Sequence, residues 1–122
     1  MADNKQYITQ KQDNGSVQIS EDVIISIAAH AAGEVDGVVS LSAKPGTDIV
    51  EMLGKKSWNK GIKLTISANN TLTIDCNIVI SYGHSVVEIA QAVQNAITGA
   101  VESMSGVKVT AVNVNVNGIV RQ

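Results

Sequence analysis

The chain has 122 residues, enough for one domain with a modest core. Charged side chains make up 16% of it, against roughly 25% in an average soluble chain, and the net charge is −2. That balance counts against a strongly basic nucleic-acid binder, and it leaves a surface on which copies repel one another only weakly.

Three further absences bound the cell biology. The longest apolar run is far short of the roughly 18 to 20 residues that span a bilayer. The first ten residues, MADNKQYITQ, lack the apolar core of a signal peptide. A single cysteine cannot close an internal disulfide. A cytoplasmic protein is the simple expectation. No internal repeat or low-complexity run is visible.

In chain order, residues 1–15 are polar and aperiodic and read as a flexible N-terminal tail ahead of a domain over residues 16–122. Val17 and Ile19 suggest a short strand. Ser20 is placed to cap a helix whose first turn holds Glu21 and Asp22, where carboxylates suit the helix dipole. Val23, Ile24, Ile27, Ala28, Ala31 and Val35 recur at helical spacing as its apolar stripe. Gly37 is its expected stop, and Val38 to Leu41 a further short strand. Residues 43–61 form a long connection holding Pro45, the only proline. Within it, residues 48–56 can make a short helix. Connections of this length are often functional or mobile.

Period-two alternation then begins. Ile62, Leu64 and Ile66 alternate with Lys63, Thr65 and Ser67. Leu72, Ile74, Cys76, Ile78 and Ile80 alternate with Thr73, Asp75, Asn77 and Ser81, Val79 being the apolar exception. Asn69 and Asn70 lie between the runs and tolerate the positive φ of a tight turn. Residues 62–81 therefore read as a β-hairpin. Ser85 and Glu88 form a Ser-x-x-Glu capping box. Behind it, Val86, Ile89, Ala90, Val93, Ile97, Ala100, Val101 and Met104 fall on one helical face, opposite Glu88, Gln91, Asn95, Thr98 and Glu102. Gly106 ends this helix. In the last segment Val107 and Val109 give way to Val112, Val114 and Val116. The apolar parity switches near Ala111–Val112, and a β-bulge there restores the facing. The pattern predicts a small α+β domain with a mainly antiparallel or mixed sheet and two helices on one face.

Candidate chemistry is sparse. His30 sits at the edge of the first helical stripe without companions at metal-ligand spacing. His84 precedes the Ser85 cap, where packing is the plainer role. Cys76 falls on the apolar phase of its strand, so pairing it with a histidine as a nucleophile is unattractive. No catalytic set, cofactor motif or metal cluster emerges, and the order of Gly54 and Gly61 is not that of a phosphate loop. The expectation is a protein that is not an enzyme, with no cofactor and no small-molecule substrate.

Two surface features stand out. The run from Gly54 to Lys63 (GKKSWNKGIK) gathers Lys55, Lys56, Lys60 and Lys63 around Trp58, the only tryptophan. Such a loop can hold an anionic surface or an acidic partner, or it can be a solvated loop whose tryptophan packs inward. The second is a polar sheet face bearing Thr73, Asp75, Asn113, Asn115 and Asn117, with Thr65 and Ser67. It is either an ordinary solvated face or a surface for assembly between copies.

The residues also resemble a known family. The runs ISEDV (from Ile19), AGEVDGV (from Ala32), KGIKL (from Lys60), IVISYGHS (from Ile78) and GVKV followed by VNVNV (from Gly106) look like the alkaline shock protein family, common in Gram-positive bacteria. The resemblance covers residues 16–120. Family members often carry a histidine in the final strand, where this chain has Asn115. The resemblance implies a non-enzymatic envelope stress response protein. It further implies self-assembly, or attachment to the inner face of the cell membrane through a separate membrane-anchored protein. The competing expectation is a small nucleic-acid-binding module that uses the basic loop, residues 54–63.

Overall fold

The computed structural model describes residues 7–41 and 61–121. Its organising element is β5, Leu72–Ser81, flanked by β3 (Val38–Leu41), β4 (Ile62–Ile66) and β6 (Val109–Val120). β6 runs parallel to β5 along its whole length, from Leu72 against Val109 to Ser81 against Val120. That occupies one edge of β5. The other edge is shared end to end by two antiparallel strands, β4 against residues 72–76 and β3 against residues 78–80. The sheet is therefore mixed, as the alternation allows.

Parallel strands need a crossover, and α2 (Val86–Ser105) supplies it between β5 and β6. Ser85 caps α2 as its sequence suggests: the hydroxyl accepts from the Glu88 N–H at 3.4 Å. Gly106 closes it in the left-handed region at φ 76°. The buried stripe is Ile89, Val93, Ile97 and Val101, while Val86 and Met104, expected on it, are exposed in the first and last turns.

α1 (Glu21–Gly33) packs on α2, β3 and β4. Its facing differs from expectation. Ile24, Ile25, Ala28, Ala31 and Ala32 are buried and Val23 is exposed. The run has more small apolar residues than one face can hold, so two stripes compete. Ser20 makes no side-chain cap bond, and the helix ends at Gly33 rather than Gly37. Gly37 has a different role, at φ +97° in the turn into β3, where a Cβ would lie 2.6 Å from Ile89 Cδ1. Only glycine lets that turn pass under the first turns of α2.

The N-terminal tail is corrected from Tyr7 onward; residues 1–6 lie outside the described residues. β1 (Tyr7–Gln12) pairs antiparallel with β2 (Gly15–Ser20) across a turn at Asp13 and Asn14. Ile8 is fully buried, the Thr9 carbonyl accepts from Asn70 Nδ2 at 2.8 Å, and Gln10 Nε2 reaches the Ser105 carbonyl at 3.3 Å. The hairpin is polar because only one side chain of β1 enters the core.

The β4–β5 hairpin forms as expected, with Asn70 at φ 67°. β6 carries the bulge that restores its facing, one residue before Ala111: the register passes from Leu72/Val109 to Thr73/Ala111, leaving Thr110 extra. A second shift, from Ile78/Val116 to Val79/Gly118, leaves Asn117 extra. The core lies between the helices and the even-numbered residues of β5, Leu72 to Ile80, all fully buried. Each such aliphatic side chain contributes about 1.5–3 kcal/mol.

Val93 is fully buried at the centre of the α2 stripe. Val93→Ala should lower unfolding free energy by about 1–3 kcal/mol through lost contacts and a small cavity. Chemical denaturation measures it, and a negligible change would contradict the packing.

Candidate interaction face

The face of the sheet turned away from the helices is built by the odd-numbered residues of β5. Thr73 aligns with Thr65 and Ala111, and Asp75 with Lys63 and Asn113. Asn77 aligns with Asn115. Asn113 Nδ2 donates to Asp75 Oδ1 at 2.9 Å, and Asn115 Nδ2 donates to Asn77 Oδ1 at 3.0 Å. The structure thus brings together Thr73, Asp75, Asn113 and Asn115, four of the residues expected on an assembly face. Asn117 is the exception. It is the extra residue of the second bulge and has no register partner on β5.

Asn77 was not singled out as a site residue, yet it is the most buried polar residue described, at 2% exposure. Its Nδ2 finds no hydrogen-bond partner among the described residues. An asparagine in a polar phase reads as solvated. The signal was available only through its pairing with Asn115, which requires the parallel register.

Of the basic loop, Lys63 lies on β4 beside Asp75 in register. Lys55, Lys56, Trp58 and Lys60 lie outside the described residues. His30 is on the surface, 3.6 Å from Glu34, in a side-chain pair exposed on both sides. His84 lines a shallow cleft with Asp36, Ser85 and Glu88, at the mouth of α2. Among the described residues, no three His, Cys, Asp or Glu side chains gather as metal ligands.

Another surface escaped the sequence reading. Tyr82, Val86, Val87, Ile119 and Val120 are all exposed. Tyr82 meets the end of β6, where its N–H donates to the Val120 carbonyl, and Val86 and Val87 follow in the first turn of α2. The Arg121 guanidinium carbon sits 5.4 Å from the centre of the Tyr82 ring, a cation–π contact. The period-two rule places such residues on a face, and it cannot show that several strand ends converge.

These elements can be set beside known proteins. The model of the alkaline shock protein family, described by its cell envelope-related function, matches residues 9–121. The chain belongs to this family. It is the one that the sequence motifs resemble. Curated relatives agree. The uncharacterized protein YqhY of Bacillus subtilis (strain 168) is 34% identical over 121 residues, covering 98% of this chain and 89% of its own. The uncharacterized protein Spy1535 of Streptococcus pyogenes serotype M6 is 32% identical over 108 residues, covering 88% and 81%. A solved structure of MamM CTD M250L superposes on 80% of this chain and 95% of its own, with a TM-score of 0.49 at 13% identity. No helix among the described residues is long and apolar enough to cross a membrane.

Cys76 is fully buried between sheet and helices, and burial pushes its thiol up to about 12. It is a packing residue, with negligible thiolate at neutral pH. In the folded protein a soluble maleimide should leave Cys76 unmodified at pH 8, and unfolding in guanidinium should expose it to rapid modification. The raised value also gives a pH slope. Below the free-thiol pKa, about 8.5, both states are neutral. As pH rises from there toward about 12, only the unfolded thiol ionises, so folding stability falls. Denaturation midpoints of wild type and Cys76→Ala across that window should converge as pH rises. Rapid native labelling would contradict this placement.

Proposed function

We propose that this chain is a non-enzymatic envelope stress response protein that works by contact with copies of itself and with a membrane-anchored partner. Such a partner would hold it at the inner face of the cell membrane. The observation that carries the reading is the outward sheet face. Its centre is an amide and carboxylate ladder, Asp75 with Asn113 and Asn77 with Asn115, held by side-chain hydrogen bonds. Ordered amides of this kind have spare donors and acceptors that a neighbouring protein can satisfy. β6 also holds no charged residue over Val109–Val120, so the strand itself lacks the lysines that usually keep sheet edges apart. The exposed apolar end around Tyr82 offers a separate contact for the partner.

The family's envelope-related description agrees with this reading. Lysine at both Asn113 and Asn115 should disrupt association, through repulsion between copies and the cost of burying unpaired charge. Both side chains are exposed, so the fold should persist. Light scattering over a wide concentration range, with a pull-down from membrane extract, compares the two proteins. A wild type that is strictly monomeric and captures nothing would defeat the reading. Association untouched by the lysines would move the contact to the outer face of α2, from Gln91 to Thr98.

A further inference from the structure

The outer edge of β6 has no strand partner among the described residues. Which backbone groups it presents follows from the pairing of β5. The Asn77 and Ser81 N–H groups donate to the Gly61 and Gly37 carbonyls, on the β3/β4 side. The Leu72 and Tyr82 N–H groups donate to the Lys108 and Val120 carbonyls, on the β6 side. Even-numbered residues of β5 thus bond to β6. In a parallel ladder each one bonds to the two residues flanking its register partner. Ile74 lies against Val112 and Cys76 against Val114, so Asn113 and Asn115 turn their backbone groups toward β5. Val112, Val114 and Val116 turn theirs outward. The Val112 carbonyl confirms it, since Gln94 Nε2 reaches it from α2 at 3.0 Å.

This open segment is bounded by the bulges at Thr110 and Asn117. Bulges blunt an edge where they fall, and they leave residues 111–116 straight between them. No charged residue lies on β6, and none lies on α2 between Glu88 and Glu102. From these two elements a second copy of the same strand meets no charge repulsion.

We infer that two copies join through antiparallel pairing of their β6 edges, centred on Val114. This deepens the assembly reading above and rests on it. The register is set by the groups available. Val114 pairs with Val114 of the second copy and Val112 with Val116, as hydrogen-bonded pairs that use every outward group of the straight segment. Gln94 releases the Val112 carbonyl to the incoming N–H. Asn113 then stands opposite Asn115 of the second copy in a non-hydrogen-bonded pair, on the outward face. Asn113 spends one amide hydrogen on Asp75 and keeps a second. Asn115 donates to Asn77 and keeps its carbonyl as acceptor. The two side chains are complementary as they stand, and each row runs Asp75, Asn113, Asn115, Asn77 across the joint. The result is one continuous sheet with all helices on the same side.

Crossed cysteines test the register. Directly opposed, non-hydrogen-bonded residues have Cα atoms about 4.5 Å apart, within disulfide reach. Asn115 and its own copy are diagonal neighbours at roughly 7–8 Å, outside the usual range. Asn113→Cys and Asn115→Cys proteins are mixed under mild oxidation and compared with each alone on a non-reducing gel; buried Cys76 stays out of the exchange. Covalent dimer confined to the mixture is the expected result. Equal dimer from a single variant alone, or none in the mixture, overturns the inference. If light scattering nevertheless detects association, the edge register is wrong and the assembly reading stands. A monomer that captures no partner defeats both.

Discussion

The structure depends on one strand being paired along both of its edges. β5 is held by β6 along one edge and by β4 and β3 in succession along the other. Its even-numbered residues fill the core beneath both helices. A strand paired on both edges with one face buried has little freedom to slip, because a one-residue shift would turn Ile74, Cys76 and Ile78 outward and Asp75 and Asn77 inward. Everything else takes its place from that fixed register. α2 is the crossover that the parallel partner requires, α1 fills the space beside it, and the β1–β2 hairpin closes the end near Asn70 and Ser105.

The same constraint organises the outward face. With β5 fixed, Asp75 and Asn77 are delivered in line with Asn113 and Asn115, and the amide bonds between them follow. Cys76 belongs to the core and is held neutral there. What the described residues offer the outside is a set of aligned amides, an edge without a strand partner among them, and an apolar strand end around Tyr82. Each suits contact between macromolecules.

Much of this was legible in the chain. Alternation over residues 62–81 located the hairpin, the Ser85–Glu88 spacing located the start of α2, and the parity switch among the late valines located a bulge to within a residue. The reasons for the misses are physical. Alternation is the same for parallel and antiparallel pairing, so the neighbours of β6 and the role of Asn77 were invisible. The first hairpin buries Ile8 alone from β1, too little to create a period, although Asp13, Asn14 and Gly15 are turn residues. α1 carries Ile27, Ala28, Ala29, Ala31 and Ala32 besides its isoleucine pair at 24 and 25, and neighbouring packing, not spacing, selects its buried face. The meeting of Tyr82 with Val120 is a property of strand ends, which no local pattern reports.

The most direct test is amide hydrogen exchange along β6, followed residue by residue by NMR at low and high protein concentration. The Asn113 and Asn115 N–H groups, turned toward β5, should be protected at both. The Val114 and Val116 N–H groups should exchange fast in dilute protein and become protected as copies pair. If all four amides behave alike, or if Val114 and Val116 exchange fast at every concentration, the edge of β6 is not where copies of this protein meet.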